Sequence, residues 1–171
     1  MTSAPDPAAA SASVSFTHLD AAGHARMVDV TEKQPTVRSA TARGSVRCAE
    51  HVVAALRDGS VPKGDVLAVA RIAGIAGAKR TPELLPLAHV IGVHGAVVDL
   101  QITDTGVDIE ATVRTADRTG VEMEALTAVS VAALAVVDMV KGLDKSTSIA
   151  DVRLIAKTGG KSGAWTRPEQ R

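Results

Sequence analysis

The clearest hydrophobic pattern in the chain is a run of small apolar residues at positions 120–142, GVEMEALTAVSVAALAVVDMVKG. A helix drawn on this run is apolar in nearly every direction, which is typical of a helix buried in a core. Charges stand only near its ends, with Glu122 and Glu124 at the start and Asp138 and Lys141 at the finish. The pattern therefore predicts a long core helix that carries charged groups at both ends.

A second pattern, the alternation of apolar and polar residues, predicts β-strands. It occurs in VVDLQIT and again in VDIEATVRT, and the DTG between them is typical of a turn, so the two segments predict a hairpin. An earlier strand is predicted at residues 36–47, which contain Thr and Val, and a final strand at residues 151–157. The inward side of the hairpin is expected to carry Val98, Leu100, Ile102, Val107, Ile109, Ala111 and Val113.

Two further helices are predicted between the first strand and the hairpin. One runs from Cys48 to about Arg57 and stops before Gly59, and the other follows Asp65, whose side chain can cap it, through Lys79. If the paired helices count as one crossover, the element order is β-α-β-β-α-β. That order predicts a single α+β domain of the ferredoxin-like type, an antiparallel sheet with helices packed on one face.

The two ends of the chain differ in composition from its middle. Residues 1–15 are rich in Ala, Ser and Pro and predict a disordered tail. The folded domain is expected at residues 16–163, and residues 164–171 are expected to form a flexible C-terminal tail.

Composition narrows the function classes. Nineteen basic residues balance nineteen acidic ones, and Phe16 and Trp165 are the aromatic residues, so neither charge nor base stacking favours nucleic acid as a partner. The longest apolar run is interrupted by Asp138, so we expect no membrane span. Cys48 is the single cysteine, which favours a reducing cytoplasm, and the five His show no zinc-ligand spacing, so we expect no metal site.

The charges at the ends of the long apolar run allow two interpretations each. Asp138 and Lys141 are neighbours on a helix surface, where an exposed pair contributes little but a partly buried one is a candidate acid–base site. Glu122 and Glu124 converge only if the backbone there is extended; otherwise they are first-turn acids that complement the helix dipole. Fourteen residues separate Glu124 from Asp138, or about 21 Å along a helix. Either the two ends serve different purposes, or they meet across a subunit boundary.

Two glycine-containing motifs also have competing interpretations. TGGKSG at residues 158–163 resembles a phosphate-binding loop, but Ile155 stands where a P-loop requires Gly, which excludes an ATPase. The loop can still offer backbone N–H groups to a phosphate, or it is part of a flexible end. In GIAGAKRT, Gly74 and Gly77 resemble the RNA-clamping loop of KH domains, but the Ala-rich helical context favours close helix packing.

Longer motifs together resemble one known family. The chain contains, in this order, MVDVTEK, KGDVLAVARIAGIAGAKRT, LLPLAH, TGVEMEALTAVSVAALAVVDMVK and VRLIAKTGGKSG. Between about residues 17 and 163 it closely resembles the molybdenum cofactor biosynthesis protein C (MoaC) family, the cyclic pyranopterin monophosphate synthases.

The resemblance implies a ferredoxin-like subunit in a homohexamer, a trimer of dimers with active sites at the dimer interfaces. It implies 3′,8-cyclo-7,8-dihydroguanosine 5′-triphosphate as the substrate, and cyclic pyranopterin monophosphate and pyrophosphate as the products. The reaction is a rearrangement with elimination, so no redox cofactor is expected, and whether Mg²⁺ accompanies the triphosphate stays open.

The residues of the family's site fall on matching positions. Lysines held near carboxylates suit the repeated proton transfers of this reaction, and the implied catalytic residues are Lys63, Asp138 and Lys141. The implied substrate-binding residues are Arg38, Leu87, Ala88, His89, Glu122, Met123, Glu124 and Lys157. The chain departs from the family at Ala88 and Val90, where Cys and Pro are usual. The alternative is therefore a catalytically weak paralogue that acts as an assembly or binding subunit.

Overall fold

The structure, a computed structural model, describes residues 22–168. Its elements, in chain order, are β1 (Thr36–Arg47), α1 (Glu50–Asp58), α2 (Val66–Lys79), α3 (Thr81–Leu84), β2 (Gly95–Thr103), β3 (Gly106–Asp117), α4 (Glu122–Val140), β4 (Ser148–Thr158) and β5 (Trp165–Thr166). The predicted strands, hairpin and long helices are all present.

The strands form one antiparallel sheet in the order β2-β3-β1-β4-β5. The first strand lies in the middle, between the second arm of the hairpin and the strand that follows the long helix. This arrangement confirms the predicted α+β fold with a ferredoxin-like order of its four main strands.

The helices cover one face of this sheet. Alternate residues of β1, such as Ala42 and Val46, point to the helices and are fully buried, as are Val107 and Ala111 of β3. The same face of β3 carries Ile109 and Val113, as the alternating pattern predicts. Among the described residues the buried hydrophobic side chains are those of Ala, Val, Leu, Ile and Met, and the opposite face of the sheet carries charged residues.

The boundaries of α1 and α2 follow the predicted capping residues. Gly59 ends α1 in the left-handed conformation, with φ of 72°. The side chain of Asp65 accepts a hydrogen bond from the backbone N–H of Ala68 at 2.9 Å and so caps α2. Asp65 thus fixes where α2 begins, directly after the loop that carries Lys63.

Two glycines let α2 approach α4 closely. A Cβ on Gly74 would lie 2.9 Å from the backbone carbonyl oxygen of Ala128, and one on Gly77 would lie 2.8 Å from the side chain of Val131. The structure therefore supports the helix-packing interpretation of this motif over the RNA-clamping one.

Three regions differ from the sequence predictions or extend them. After Lys79 the structure adds the one-turn helix α3, with Pro82 in its first turn. Trp165 and Thr166, predicted as part of a flexible tail, pair with Lys157 and Ala156 of β4. The predicted tail at residues 1–15 lies outside the described residues, and the domain boundaries stay predictions.

Helix α4 is the one helix of the described residues that is long and apolar enough to cross a membrane. Half of its apolar window is buried against the sheet and α2. Burial of this kind is what the central helix of a globular domain shows, and it agrees with the predicted core helix.

Both glycines of α2 are predicted to resist substitution by Ala. Either change gains about 1 kcal/mol of helix propensity, but the Gly74→Ala methyl group meets the backbone of Ala128, and the Gly77→Ala methyl group meets the Cβ of Val131 at 2.9 Å, which no rotation of that side chain moves. We therefore expect each change to cost about 1–3 kcal/mol through overpacking. Thermal unfolding followed by circular dichroism measures both variants, and melting midpoints at or above the native value would contradict this account of the contact.

Candidate active site

Two lysines converge on one carboxylate at the end of α4. Asp138 lies in the last turn of this helix, and Lys141 follows one turn later. The Lys141 Nζ lies 2.8 Å from Asp138 Oδ1, and the Lys63 Nζ, from the loop before α2, lies 3.0 Å from Asp138 Oδ2. The structure thus brings together all three residues predicted to be catalytic, and we call them the lysine half-site.

The Asp138 carboxylate is held in its charged form by these neighbours. Hydrogen bonds from Lys141 and then Lys63 lower the pKa of Asp138, and their positive charges act in the same direction. Burial within the chain contributes little, since Asp138 and Lys141 are 57% and 58% exposed. The helix is buried as predicted, but Asp138 and Lys141 lie on the side of its last turn that faces solvent, while Met139 and Val140 of the same turn are buried.

Lys63 also has a structural role. Its Nζ donates a second hydrogen bond, of 2.7 Å, to the backbone carbonyl oxygen of Asp138. A cation at this position satisfies one of the free carbonyl groups of the last turn and complements the helix dipole. Lys63 therefore ties the loop before α2 to the end of α4 whatever else it does.

The other end of α4 carries a different cluster. Glu122 and Glu124 both lie in the first helical turn, as the dipole interpretation predicted. The Glu122 Oε1 lies 3.0 Å from the Nζ of Lys157, whose Nζ also donates to the hydroxyl oxygen of Ser162 at 2.9 Å. The Glu122 carboxylate folds back over Gly120 into space that a side chain at position 120 would occupy.

Glu124 is the buried acid of this cluster, with only 3% of its surface exposed. Burial raises its pKa, and the negative charge of Glu122 adds to that effect. The nearby His89 acts in the opposite direction but does not outweigh burial. The His89 Nε2 lies 2.6 Å from the backbone carbonyl oxygen of Val28, so this nitrogen carries the proton and the other ring nitrogen is free to accept in the neutral ring.

The remaining predicted substrate-binding residues surround this cluster. Leu87 and Met123 are exposed, and Ala88 is partly buried before His89. Val90, one of the two positions where the chain departs from the motif it resembles, is 90% exposed. It lies on an open surface, so the fold of the chain does not depend on a proline there.

The guanidinium group of Arg38 already makes hydrogen bonds within the chain, so not all of its N–H groups are available to a phosphate. Its Nε and one Nη donate to the backbone carbonyl oxygens of Asp117 and Arg118, at 2.9 and 3.1 Å. The other Nη lies against Gly160 of the glycine loop, where Gly159 and Gly160 have positive φ values of 86° and 71°. A phosphate contact by Arg38 stays a prediction.

We call Arg38, His89, Glu122, Glu124 and Lys157 the glutamate half-site. Sequence reasoning assigned no role to three residues that position it, Val28, Gly120 and Ser162. A signal for two of them was present, since Val28 lies in the MVDVTEK motif and Ser162 in TGGKSG. For Gly120, the sequence offered only its position just before the predicted helix, which does not indicate that the Glu122 side chain folds over it.

The two half-sites do not meet within one chain. They lie at opposite ends of α4, about 21 Å apart at the helical rise per residue. Across residues 22–168, no group of three or more His, Cys, Asp or Glu side chains is placed to hold a metal ion.

Comparison with known proteins places these residues in a family. The MoaC family model matches residues 27–160. Similar proteins include the cyclic pyranopterin monophosphate synthase of Streptomyces coelicolor, 65% identical over 152 residues that cover 89% of each chain. The synthase of a Nocardioides species is 60% identical, and the match covers 90% of this chain and 96% of that protein. The synthase of Geobacter metallireducens is 53% identical, and the match covers 91% of this chain and 99% of that protein. Since the family model matches most of the chain and these relatives are 53–65% identical to it over about nine tenths of its length, the chain belongs to the MoaC family.

Proposed function

We propose that this chain is a cyclic pyranopterin monophosphate synthase, a lyase of molybdenum cofactor biosynthesis. It converts 3′,8-cyclo-7,8-dihydroguanosine 5′-triphosphate to cyclic pyranopterin monophosphate and pyrophosphate. The curated relatives that carry this name support the proposal, with identities of up to 65% over 89% of the chain.

The observation that carries the proposal is the convergence of Lys63 and Lys141 on Asp138. Opening the purine ring and closing the pterin ring require several proton transfers, which two amines held beside one carboxylate can perform. Asp138 orients both amines through its two oxygens and stays ionised, because its pKa is lowered. We assign the proton transfers to the two lysines and their positioning to Asp138.

The glutamate half-site binds the substrate in this proposal. Glu122, Glu124 and His89, with the backbone around Leu87, Ala88 and Met123, hold the guanine-derived ring by hydrogen bonds. Lys157 and Arg38 hold the phosphates and stabilise the departing pyrophosphate. The reaction transfers no electrons, so it requires no redox cofactor, and any Mg²⁺ arrives as part of the triphosphate substrate.

We further propose that the protein is a cytoplasmic homohexamer, a trimer of dimers whose sites form between subunits. The separation of the half-sites supports this, because no small substrate spans about 21 Å. The solvent-facing sides of α2 and α4 also support it, since Val69, Ile72 and Leu134 are 44%, 69% and 57% exposed. Exposed apolar residues on adjacent helices are typical of a surface that a partner covers.

A second candidate is a catalytically weak paralogue that acts as an assembly or binding subunit. Ala88 and Val90 favour it, because they replace the usual Cys and Pro on both sides of His89. Conversion of the cyclised triphosphate by the purified native protein separates the two candidates, since a well-folded oligomer that releases no pyrophosphate would support the paralogue.

The first prediction concerns the lysine half-site. Lys63→Ala and Lys141→Ala are each expected to lower turnover at least about 100-fold, the range for loss of a general acid or base. Lys145→Ala, which removes a neighbouring exposed lysine outside the half-site, is the control and should leave turnover unchanged. Pyrophosphate release measures all three, with melting midpoints recorded because Lys63 also caps α4. Full turnover in both site variants would remove the lysines from the mechanism.

The second prediction tests whether the half-sites combine across subunits. Glu124→Gln and Lys141→Ala chains should each be inactive alone. When they are refolded together in equal amounts, about a quarter of the sites draw both halves from intact copies, so about a quarter of native activity should return. Activity that stays at the level of the separate variants would show that each site lies within one chain.

The third prediction follows from the raised pKa of Glu124. The folded protein binds a proton here more tightly than the unfolded chain, so this group's contribution is present below the unfolded pKa and is lost as pH rises through the folded value. Glu124→Gln should therefore raise the melting midpoint at neutral pH and change it little in acid, while substrate binding is lost. Melting curves at several pH values measure this, and a lower midpoint at neutral pH would contradict it.

A further inference from the structure

The loop that carries His89 joins α3 to β2 and has no helix or strand of its own over residues 85–94. Its first residue, Leu85, is held to α3 by a backbone hydrogen bond of 3.0 Å to the carbonyl oxygen of Thr81. His89 is held by one bond, from its Nε2 to the carbonyl oxygen of Val28. The position of His89 therefore also depends on what holds residues 90–94.

Within the part of the chain that the structure describes, the hydrogen bonds of residues 90–94 all go to the end of β3, at residues 114–117. The Thr115 hydroxyl donates to the carbonyl oxygen of Gly92 at 2.6 Å. The backbone N–H of Ala116 donates to Nδ1 of His94 at 3.1 Å. We call these two side-chain contacts, made by Thr115 and His94, the loop clamp.

Thr115 occupies a position where the alternating pattern calls for an apolar residue. It shares the inward side of β3 with Ile109, Ala111 and Val113, and it is only 2% exposed. Valine has nearly the same shape, is favoured in strands and brings no polar group into the core. Core packing alone therefore gives no reason for a hydroxyl here, and the bond to Gly92 supplies one.

The protons of the loop clamp follow from its donors and acceptors. The Ala116 N–H can only donate and the Gly92 carbonyl oxygen can only accept. The Thr115 hydroxyl oxygen also lies 3.3 Å from Nδ1 of His94, but its single proton goes to Gly92 at the shorter distance. Nδ1 of His94 is thus unprotonated and serves the clamp as an acceptor.

The end of β3 that receives the loop belongs to the glutamate half-site. Arg38 donates to the backbone carbonyl oxygens of Asp117 and Arg118, directly after the clamp. Helix α4 then begins at Glu122. The loop clamp therefore joins the loop of His89 to the short stretch of backbone that holds Arg38 and leads to Glu122.

We infer that Thr115 and His94 are positioning residues for substrate binding. They act through His89, because they hold its loop in place before the substrate arrives, so that binding does not have to order the loop. The inference rests on the proposed function, since it assigns both residues to the binding step of that reaction.

The test measures binding separately from turnover. The parent is the Lys141→Ala chain, which is expected to bind the cyclised guanosine triphosphate without converting it, and calorimetric titration with that compound gives its Kd. Thr115→Val should raise this Kd about 5- to 10-fold, the range for loss of one neutral hydrogen bond. The melting midpoint should change little, because valine fills the same space and Gly92 is exposed, so water can reach its carbonyl oxygen.

Conservative variants separate the hydrogen bonds from side-chain volume. Thr115→Ser keeps the hydroxyl and should bind nearly as well as the parent. His94→Leu should weaken binding, whereas His94→Asn, whose side-chain oxygen can accept from the same N–H, should restore it. Thr112→Val is the control, because it makes the same change on the same strand at a hydroxyl that pairs with Thr41 instead of the loop.

A double-mutant cycle tests whether the clamp acts through His89. In a parent that also carries His89→Ala, Thr115→Val should weaken binding much less than it does when the imidazole is present. An equal loss in both backgrounds would overturn the inference.

The remaining outcomes are also decisive. Equal Kd values for the parent and Thr115→Val would overturn the inference and leave the proposed function standing, as would a loss that Thr115→Ser does not restore or that Thr112→Val shares. If Thr115→Val folds poorly, the two variants of the exposed His94 decide, and equal Kd values for them would overturn the inference. A parent that binds no substrate, with a native chain that releases no pyrophosphate, would overturn both the proposed function and this inference.

Discussion

The close approach of α2 to α4 is the contact on which the rest of the structure depends. The helices run antiparallel and are so close at Gly74 that a side chain there would meet the backbone of Ala128. Because of this approach, the loop before α2 reaches the last turn of α4, and Lys63 meets the carboxylate of Asp138. Larger residues at the crossing would separate the helices and leave Asp138 only the lysine of its own helix. A packing constraint between small residues therefore determines the geometry of a charged site.

The placement of charge along α4 follows from the same packing. A helix that contacts a sheet and another helix cannot carry charges in its middle, so its ionised groups lie where the backbone N–H and carbonyl groups are also unsatisfied. Glu124 is the exception, because it is buried with a raised pKa and so opposes folding at neutral pH. A group that lowers stability is kept when function requires it, and losses of stability of this kind are common at functional sites. Asp138 and its two lysines are instead exposed to solvent, so their charges oppose folding little.

Local patterns predicted the fold well. The alternation in the hairpin, the capping residue Asp65 and the helix-ending Gly59 are signals contained within a few residues of sequence. Each of these elements begins or ends close to the position that its signal predicted. The contacts that build the sites are not local. No pattern near position 63 indicates a partner 75 residues later, and nothing near His89 indicates that Val28 holds its ring. Lys63 and His89 were predicted as site residues through the resemblance to a family, whereas Asp138 and Lys141 are recognisable as charged residues in an apolar run. The strand at Trp165 was missed because two residues are too few to show alternation.

The rigidity of α4 has a consequence for how this protein can change over evolutionary time. Because the helix holds one half-site at each end, its length fixes both the spacing of the half-sites and their relative rotation. One residue inserted between Glu124 and Asp138 would move one end by about 1.5 Å and turn it by about 100°. Substitutions along the helix that keep the side-chain volume leave the spacing and rotation of the half-sites unchanged. A change in the length of the helix alters both, and neither half-site alone can compensate for it. The number of residues in this segment is therefore under tighter constraint than their identity.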